Sequence, residues 1–227
     1  MANLIITIDG PAASGKSTVA RLLAERLGAS FLDTGAMYRA VTLAALQAGV
    51  DMNNEEELLS ILETSEFRFA VKEGKTTVCI DGVDVTEQIR GSEVTTNARH
   101  IASSAKLRKK LVAMQRQFAA SEGKIVTEGR DQGTVVFPDA DVKFYLTAET
   151  VERARRRQNE LRAKGENKRL EQIQRAIEER DKSDESRAVG PLKPAGNAIV
   201  VDSTDLSIEE VVEKVLAFVK EKCPKKS

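Results

Sequence analysis

The sequence is poor in the residues that build disulfide frameworks and zinc sites. It contains two cysteines, Cys79 and Cys223, and one histidine, His100. The cysteines lie far apart and match no metal-ligand spacing, so we expect neither a disulfide framework nor a zinc site. The apolar run at residues 4–8 is too short for a signal peptide or a membrane span, and no such run occurs elsewhere. We therefore expect a cytoplasmic protein that does not bind membranes.

The chain also lacks an excess of either charge and has few aromatic residues. Its 35 basic residues balance 35 acidic ones, aromatic residues make up 4%, and tryptophan is absent. A broad positive field for nucleic acid is thereby excluded, and so is a surface on which many bases could stack. We expect a monomer whose partners are small molecules, with any anion site built from local clusters of arginine.

Strand and helix patterns alternate along much of the chain. Leu4–Asp9 is a β-branched run that predicts a buried strand, and apolar residues at helical spacing predict an amphipathic helix at Lys16–Leu27. The further predicted elements are strands at Ser30–Asp33, 124–128, 142–146 and 198–202, helices at 35–48 and 105–121, two charged helices separated at residues 164–167, and a terminal helix with a capping box at Ser207. This alternation favours an α/β fold, a parallel sheet with helices on both faces.

The middle of the chain has a different pattern. Short apolar runs at residues 67–71, 76–80 and 83–85 are separated by Glu-Gly at residues 73–74 and Asp-Gly at residues 81–82. Such dipeptides are turn signals, so the segment predicts a small antiparallel sheet. Because helix–strand alternation resumes afterwards, we interpret residues 64–90 as an insertion in the main domain.

A phosphate-binding motif follows the first predicted strand and precedes the first predicted helix. Residues 10–17, Gly-Pro-Ala-Ala-Ser-Gly-Lys-Ser, fit the P-loop pattern, and a chance glycine turn is the alternative. In a P-loop the backbone N–H groups and the helix N-terminus hold phosphates, Lys16 contacts the terminal phosphates, and the Ser17 hydroxyl binds Mg²⁺. The predicted ATP-binding residues are Gly10, Pro11, Ala12, Ala13, Ser14, Gly15, Lys16, Ser17 and Thr18.

Motifs that would identify a switch GTPase are missing. Residues 167–170, Asn-Lys-Arg-Leu, fail the guanine-reading pattern at the last position, and no Asp-x-x-Gly motif occurs. A kinase for a hydroxyl acceptor needs a base to remove the proton. A phosphate acceptor has a second pKa of about 6, so it arrives ionised, and the enzyme must instead neutralise charge.

Arginines with helical spacing could supply that neutralisation. Arg153, Arg156 and Arg157 are predicted on one helix face, and so are Arg180, Asp184 and Arg187 if the second helix continues that far. Guanidinium groups stay charged and bind phosphate oxygens in a bidentate fork. The alternative is a pair of solvated helices with Glu–Arg ion pairs. A glycine-containing break between the helices favours a lid that folds over a nucleotide.

Three further motifs carry a family resemblance. They are residues 32–39, Leu-Asp-Thr-Gly-Ala-Met-Tyr-Arg, residues 128–140 with Glu-Gly-Arg-Asp-Gln-Gly-Thr, and residues 180–192 with Arg-Asp and Arg-Ala-Val. With them the chain resembles bacterial cytidylate kinases, nucleoside monophosphate kinases of the P-loop class, from about residue 3 to 220. The resemblance implies transfer of the γ-phosphoryl of ATP to CMP or dCMP, with Mg²⁺ accompanying ATP.

The resemblance also implies a division of the fold and a set of site residues. The fold would be a five-stranded parallel sheet, with a core at residues 1–33, 100–150 and 188–227, a monophosphate-binding region at 34–99 and a lid at about 150–187. The implied catalytic residues are Lys16, Arg130, Arg153, Arg157 and Arg180. The implied acceptor-binding residues are Asp33, Thr34, Arg39, Arg108, Arg130, Asp131, Arg180, Asp184 and Arg187.

Several roles stay open at this stage. Asp131 would select cytosine because a carboxylate accepts from the amino group of cytosine and repels the carbonyl of uracil. Asp131 could instead form an ion pair with Arg130. Asp33 could serve only as the cap of the helix that follows it. Glu128 could hold a magnesium-bound water, or it could be a strand-end carboxylate whose hydrogen bonds are satisfied within the protein. Arg99 stands where the family usually has a small hydroxyl residue, and Gln132 stands where the family usually has a methionine. We expect little effect from the exchange of methionine for glutamine. The alternative functions are a kinase for UMP or a small hydroxyl metabolite, and an ATP-binding regulatory module.

Overall fold

The structure is a computed structural model that describes residues 4–72, 75–163 and 165–224. The predicted turn at residues 73–74 lies outside the described residues, and so does Lys164 in the predicted break between the charged helices. The strands are β1 Leu4–Asp9, β2 Ser30–Asp33, β3 Phe67–Lys72, β4 Lys75–Ile80, β5 Val83–Asp84, β6 Lys124–Gly129, β7 Val142–Thr147 and β8 Ile199–Asp202. The helices are α1 Lys16–Leu27, α2 Thr34–Ala48, α3 Glu55–Thr64, α4 Ser92–Ser103, α5 Ala105–Ser121, α6 Thr150–Ala163, α7 Leu170–Glu185 and α8 Ile208–Lys222.

The main sheet has five parallel strands in the order β2-β6-β1-β7-β8, which confirms the predicted fold class. The carboxyl ends of parallel strands meet at one edge of a sheet. In the register of β1, β2 and β6, Asp33 is paired with Glu128 and Asp9 with Gly129. This edge therefore gathers three carboxylates beside the loop that follows β1.

Helices cover both faces of this sheet. Successive side chains of a β-strand point to opposite faces, so apolar residues are available for packing on each side. Along β1, Leu4, Ile6 and Ile8 are fully buried in a core cluster with residues of α1 and α8. Ile5 points the other way and packs in a cluster with Ala119 of α5. Among the described residues, no helix combines the length and the apolar character that crossing a bilayer requires.

The insertion is a second, antiparallel sheet of β3, β4 and β5, as predicted. Two helices that flank it, α3 and α4, were not predicted. Helix α4 buries only Val94, Ile101 and Ala102, so its apolar period is too weak to identify from the sequence. Helix α3 begins after Asn54, whose side chain accepts hydrogen bonds from two backbone N–H groups of the first turn.

The two charged helices pack on the P-loop. Buried Leu161, Ile173 and Ile177 join α6 to α7, and the same cluster includes Ala154 and Ala12 of the loop after β1. The C-terminal helix begins at the predicted capping box, where Ser207 and Glu210 exchange hydrogen bonds. Helix α7 ends at Glu185, so the condition for placing Arg187 on one helix face with Arg180 and Asp184 is not met.

Candidate active site

The loop between β1 and α1 has the geometry of a phosphate cradle. Gly10 has φ +153°, and a Cβ there would overlap the carbonyl of Leu146 on the neighbouring β7, so only glycine fits. Gly15 has φ +90° and forms the N-cap from which α1 starts at Lys16. The positive end of the α1 dipole thus lies at the loop, where it favours an anion.

Lys16 is buried in this loop with its ammonium group directed at backbone and hydroxyl oxygens. Its Nζ donates to the carbonyl of Pro11 at 2.5 Å and to the hydroxyl of Ser14 at 3.3 Å. Burial, followed by the positive charge of Arg130, lowers the pKa of Lys16 to about 7. An anion bound between Lys16 and Arg130 would raise the pKa of Lys16 again.

Carboxylates at the strand ends surround Ser17. The Ser17 hydroxyl donates to Glu128 Oε1 at 2.9 Å. Burial, followed by the negative charge of Asp33, raises the pKa of Glu128. The described residues contain no group of three or more His, Cys, Asp or Glu side chains that could hold a metal ion alone. The hydroxyl and carboxylate oxygens nevertheless fit Mg²⁺, which binds few protein oxygens and keeps several waters.

Asp9 connects the P-loop strand to the loop after β6. It was not predicted, although its place at the end of β1 could have indicated it. Its two carboxylate oxygens accept the backbone N–H groups of Gln132 and Gly133, each at 2.8 Å. Burial raises the pKa of Asp9 to about 6, against the effect of these two hydrogen bonds. The P-loop strand and the loop that follows the Gly-Arg-Asp segment at residues 129–131 are therefore held together by the Asp9 side chain.

Two guanidinium groups bind a single carboxylate at the end of α7, and the charge of a third, Arg180, also acts on it. Asp184 Oδ2 accepts from Arg130 Nε at 2.7 Å, and Asp184 Oδ1 accepts from Arg187. Burial raises the pKa of Asp184, but the charges of Arg130, Arg187 and Arg180 outweigh it and the net effect is to lower that pKa. Desolvation, followed by the charge of Arg130, lowers the pKa of Arg180 to about 10. Glu128 and Asp181 also raise the pKa of Arg130. The pKa of Arg180 stays lowered, so the surroundings of Arg180 favour an additional anion.

Arg39 belongs to the same positive region. Its Nη2 donates to Asp33 Oδ2 at 3.2 Å, while its buried Nε has no hydrogen-bond partner among the described residues. Its positive charge also helps to lower the pKa of Arg180. Asp33 caps α2 by accepting from Ala36 N, as the helix-capping alternative predicted, but its bond from Arg39 shows that it does more than cap a helix. Thr34 donates to the carbonyl of Glu128.

Asp131 pairs with Arg108, not with Arg130. Both side chains are buried, and the Arg108 guanidinium carbon lies 5.7 Å from the centre of the Tyr38 ring. Burial raises the pKa of Asp131, and Arg108 opposes this. The loop after α7 passes over the pair, since a Cβ on Gly190 would overlap the end of each side chain.

The arginines of α6 lie in different environments despite their common helix face. Arg153 is buried, pairs with Asp181 and donates to the Ala12 carbonyl at 3.0 Å. Asp181 in turn accepts the Ala12 N–H at 2.9 Å, so the two lid side chains hold one residue of the P-loop on both sides. Arg157 is only partly exposed and pairs with Glu160, as the solvated-helix alternative predicts.

Two other arginines singled out from the sequence lie at the edges of the site. Arg156 donates to the backbone carbonyl and hydroxyl of Ser203 after β8, and its guanidinium is near Gly15. Arg99 is exposed on α4, where it lines a cavity of about 410 Å³ with His100 and Glu55.

Removing Arg153 tests the link between α6 and the P-loop. We expect Arg153→Met to lower the free energy of unfolding by about 3 kcal/mol, because it leaves the buried Asp181 carboxylate without its cation. Arg157→Met, on the same helix but partly exposed, is the control and should stay within about 0.5 kcal/mol of the wild type. Urea denaturation monitored by circular dichroism measures both, and equal effects would contradict a structural role for Arg153.

Comparison with known proteins agrees with this arrangement. The sequence profile of the cytidylate kinase family matches residues 6–221. Over 216 residues the chain is 47% identical to a cytidylate kinase of Shouchella clausii, covering 95% of this chain and 96% of that protein. It is 49% identical to a cytidylate kinase of Stutzerimonas stutzeri over 217 residues, covering 95% of this chain and 94% of that protein.

A solved structure supports the fold alone. An uncharacterized protein from Eubacterium ventriosum superposes with a TM-score of 0.54 at 13% identity, covering 96% of this chain and 99% of that one. The family match and the full-length identities carry the assignment further, and they agree with the P-loop and the arginine cluster around it. The chain belongs to the cytidylate kinase family.

Proposed function

We propose that the protein transfers the γ-phosphoryl group of ATP to CMP or dCMP, giving CDP or dCDP and ADP. The observation that carries the proposal is the convergence of Lys16, Arg130 and Arg180, since the charges of both arginines lower the pKa of Lys16 and the charge of Arg130 lowers that of Arg180. Like charges gather in this way where anions bind between them. A donor phosphate on the P-loop and an acceptor phosphate on the arginines would meet there.

The donor side would be formed by the P-loop. The backbone N–H groups of residues 10–18 and the Lys16 ammonium would hold the phosphates of ATP. Mg²⁺ would be bound by the Ser17 hydroxyl and, through water, by Glu128, whose side chains already touch. When bound, Mg²⁺ supplies positive charge that offsets the charge developing on the transferred group.

The acceptor side would be formed by Arg39, Arg130, Arg180 and Arg187, with Asp184 holding two of them. The buried and unpaired Nε of Arg39 supports this assignment, since a phosphate oxygen would satisfy it. The acceptor phosphate is largely ionised at neutral pH, so no side chain needs to remove a proton from it. Catalysis would then rest on positioning and charge neutralisation.

The base of the acceptor would be recognised by Arg108 and Asp131. In the described conformation Asp131 is 4% exposed, and the loop at Gly190 covers the pair. Cytosine can reach the carboxylate only after this loop moves, which supports a mobile region at the end of the lid. Because a buried carboxylate would face the carbonyl of uracil without a donor, UMP should be a poor acceptor.

The lid would divide into a fixed base and a mobile end. Arg153 and Asp181 tie α6 and α7 to Ala12, so we propose that Arg153 acts on catalysis by holding the P-loop. Residues 157–170, the distal half of the lid, make no hydrogen bond to the P-loop among the described residues, although Leu161 and Leu170 belong to the apolar cluster around Ala12. Arg157 in this half is the remaining candidate for contact with the transferred phosphate. We propose a cytoplasmic monomer that binds ATP and CMP or dCMP and no nucleic acid.

An acceptor panel tests the proposed reaction. We expect ADP release with CMP and dCMP to exceed release with UMP, AMP and shikimate by at least about 10²-fold in kcat/KM. Asp131→Asn should lower kcat/KM for CMP by about 10- to 100-fold, the effect of one lost charge-assisted hydrogen bond, and should narrow the preference over UMP. Asp139→Asn, an exposed change in the same segment, is the control. Equal wild-type turnover of CMP and UMP would exclude Asp131 as the selector.

Proton uptake on ATP binding tests the role of Lys16. With its pKa at about 7 in the free protein, Lys16 is mainly neutral at about pH 8 and mainly charged at about pH 6. The phosphates of ATP should raise that pKa again, so binding at the higher pH takes up a proton and binding at the lower pH takes up less. Calorimetry without Mg²⁺ in buffers of different ionisation enthalpy measures the uptake.

Lys16→Ala is the matched variant for this measurement. It should abolish both the proton uptake and phosphoryl transfer while leaving CMP binding largely intact, because Lys16 belongs to the donor side. Loss of CMP binding, or the same heat of ATP binding in every buffer for the wild type, would contradict the assignment.

A further inference from the structure

A buried chain of hydrogen bonds lies behind the Arg108–Asp131 pair. Gln132 is 1% exposed, and its side-chain carbonyl accepts from the Thr127 hydroxyl at 2.9 Å. Its side-chain N–H group donates to Gln115 Oε1 at 3.2 Å, and its backbone N–H donates to Asp9 at 2.8 Å. A methionine at this position could form only the last of these three bonds.

The side-chain bonds of Gln132 connect the two elements that carry the pair. Gln132 follows Asp131 in the chain, and Gln115 lies two turns after Arg108 on the same face of α5. Gln115 also lies near Tyr38, where its amide opposes the rise in the pKa of Tyr38 to about 12 that burial causes. The Tyr38 ring is the surface beside which the Arg108 guanidinium is placed.

The Gln132 side chain has little freedom to adopt another position. A Cβ on Gly129 would lie 2.9 Å from Gln132 Cγ, so the backbone of β6 confines the side chain closely. Gln115 Nε2 is buried and has no hydrogen-bond partner among the described residues. If Gln132 no longer donated to Gln115, the buried Gln115 side-chain carbonyl would lose this donor. In the part of the chain that the structure describes, the remaining polar contacts of α5 with the segment that carries Asp131 would then come from Arg108 and Arg116 alone.

We propose that Gln132 is a positioning residue that determines acceptor-base selectivity by holding Asp131 in register with Arg108. The inference rests on the proposed function and deepens it, since it assigns the accuracy of base recognition to a residue that does not touch the base. The exchange of methionine for glutamine, from which the sequence predicted little effect, thereby becomes a specificity determinant of this chain. A shift of Asp131 would weaken its hydrogen bond to the amino group of cytosine and reduce its repulsion of the carbonyl of uracil, so the two bases would be distinguished less well.

Gln132→Met is the direct test, because it keeps the side-chain length and removes both side-chain hydrogen bonds. We expect KM for CMP to rise about tenfold and the CMP-over-UMP ratio of kcat/KM to fall by a similar factor. The values of kcat with CMP and of KM for ATP should stay within about twofold, since Asp9 still holds the backbone of residue 132. Gln47→Met, an exposed change in the monophosphate-binding region, is the control and should leave every constant unchanged.

Gln115→Met breaks the same link from the other side and keeps the test valid if Gln132→Met does not fold. It should lower the CMP-over-UMP ratio of kcat/KM by the same factor. The double variant should lower that ratio by much less than the product of the two single changes. Either single variant with a lower melting temperature but an unchanged CMP-over-UMP ratio would overturn the inference, and so would failure of both to fold. Absence of CMP turnover in the wild type would instead overturn the proposed function, and the inference with it.

Discussion

Electrostatic repulsion among the cations at the carboxyl edge of the parallel sheet is the constraint on which this site depends. Lys16, Arg130 and Arg180 come from the P-loop, the segment after β6 and the last turns of α7, and the charge of Arg130 helps to lower the pKa of both Lys16 and Arg180. Asp184 and Glu128 oppose this repulsion at Arg130, whose pKa they raise. Phosphate groups bound on both sides of this region would complete the balance, so that substrate binding and the stability of the site are linked.

The sheet provides the rigid frame that keeps these charges close. Parallel pairing brings the ends of β1, β2 and β6 to one edge, and Asp9 uses both oxygens to attach the loop after β6 to the P-loop strand. The P-loop strand and the loop after β6 are thus fixed relative to one another by strand pairing and by the Asp9 side chain. Positioning of two bound anions needs this kind of rigidity, because an in-line transfer tolerates little displacement.

Recognition and closure, in the proposed function, would depend on contacts placed on that frame. The Gly190 loop covers the Arg108–Asp131 pair, whereas the base of the lid is tied to Ala12 by Arg153 and Asp181. Buried polar groups around Gln132 surround the segment that carries Asp131. In the proposed arrangement, selectivity would come from hydrogen bonds that a wrong base would leave unpaired.

Local sequence patterns were sufficient to predict most of the helices and strands and the phosphate cradle. The P-loop follows from eight consecutive residues, and β1 and α1 follow from their apolar periods, because these features depend on neighbours along the chain. Helices α3 and α4 escaped prediction since few of their residues face the core. The partners of the charged groups were decided only by the tertiary structure. Arg153 and Arg157 share a helix face in the sequence, yet one is buried on the P-loop and the other is solvated. Asp131 meets Arg108, and Asp9 meets Gln132, across separations that no local period encodes, because such contacts exist only once the sheet has brought its strand ends together.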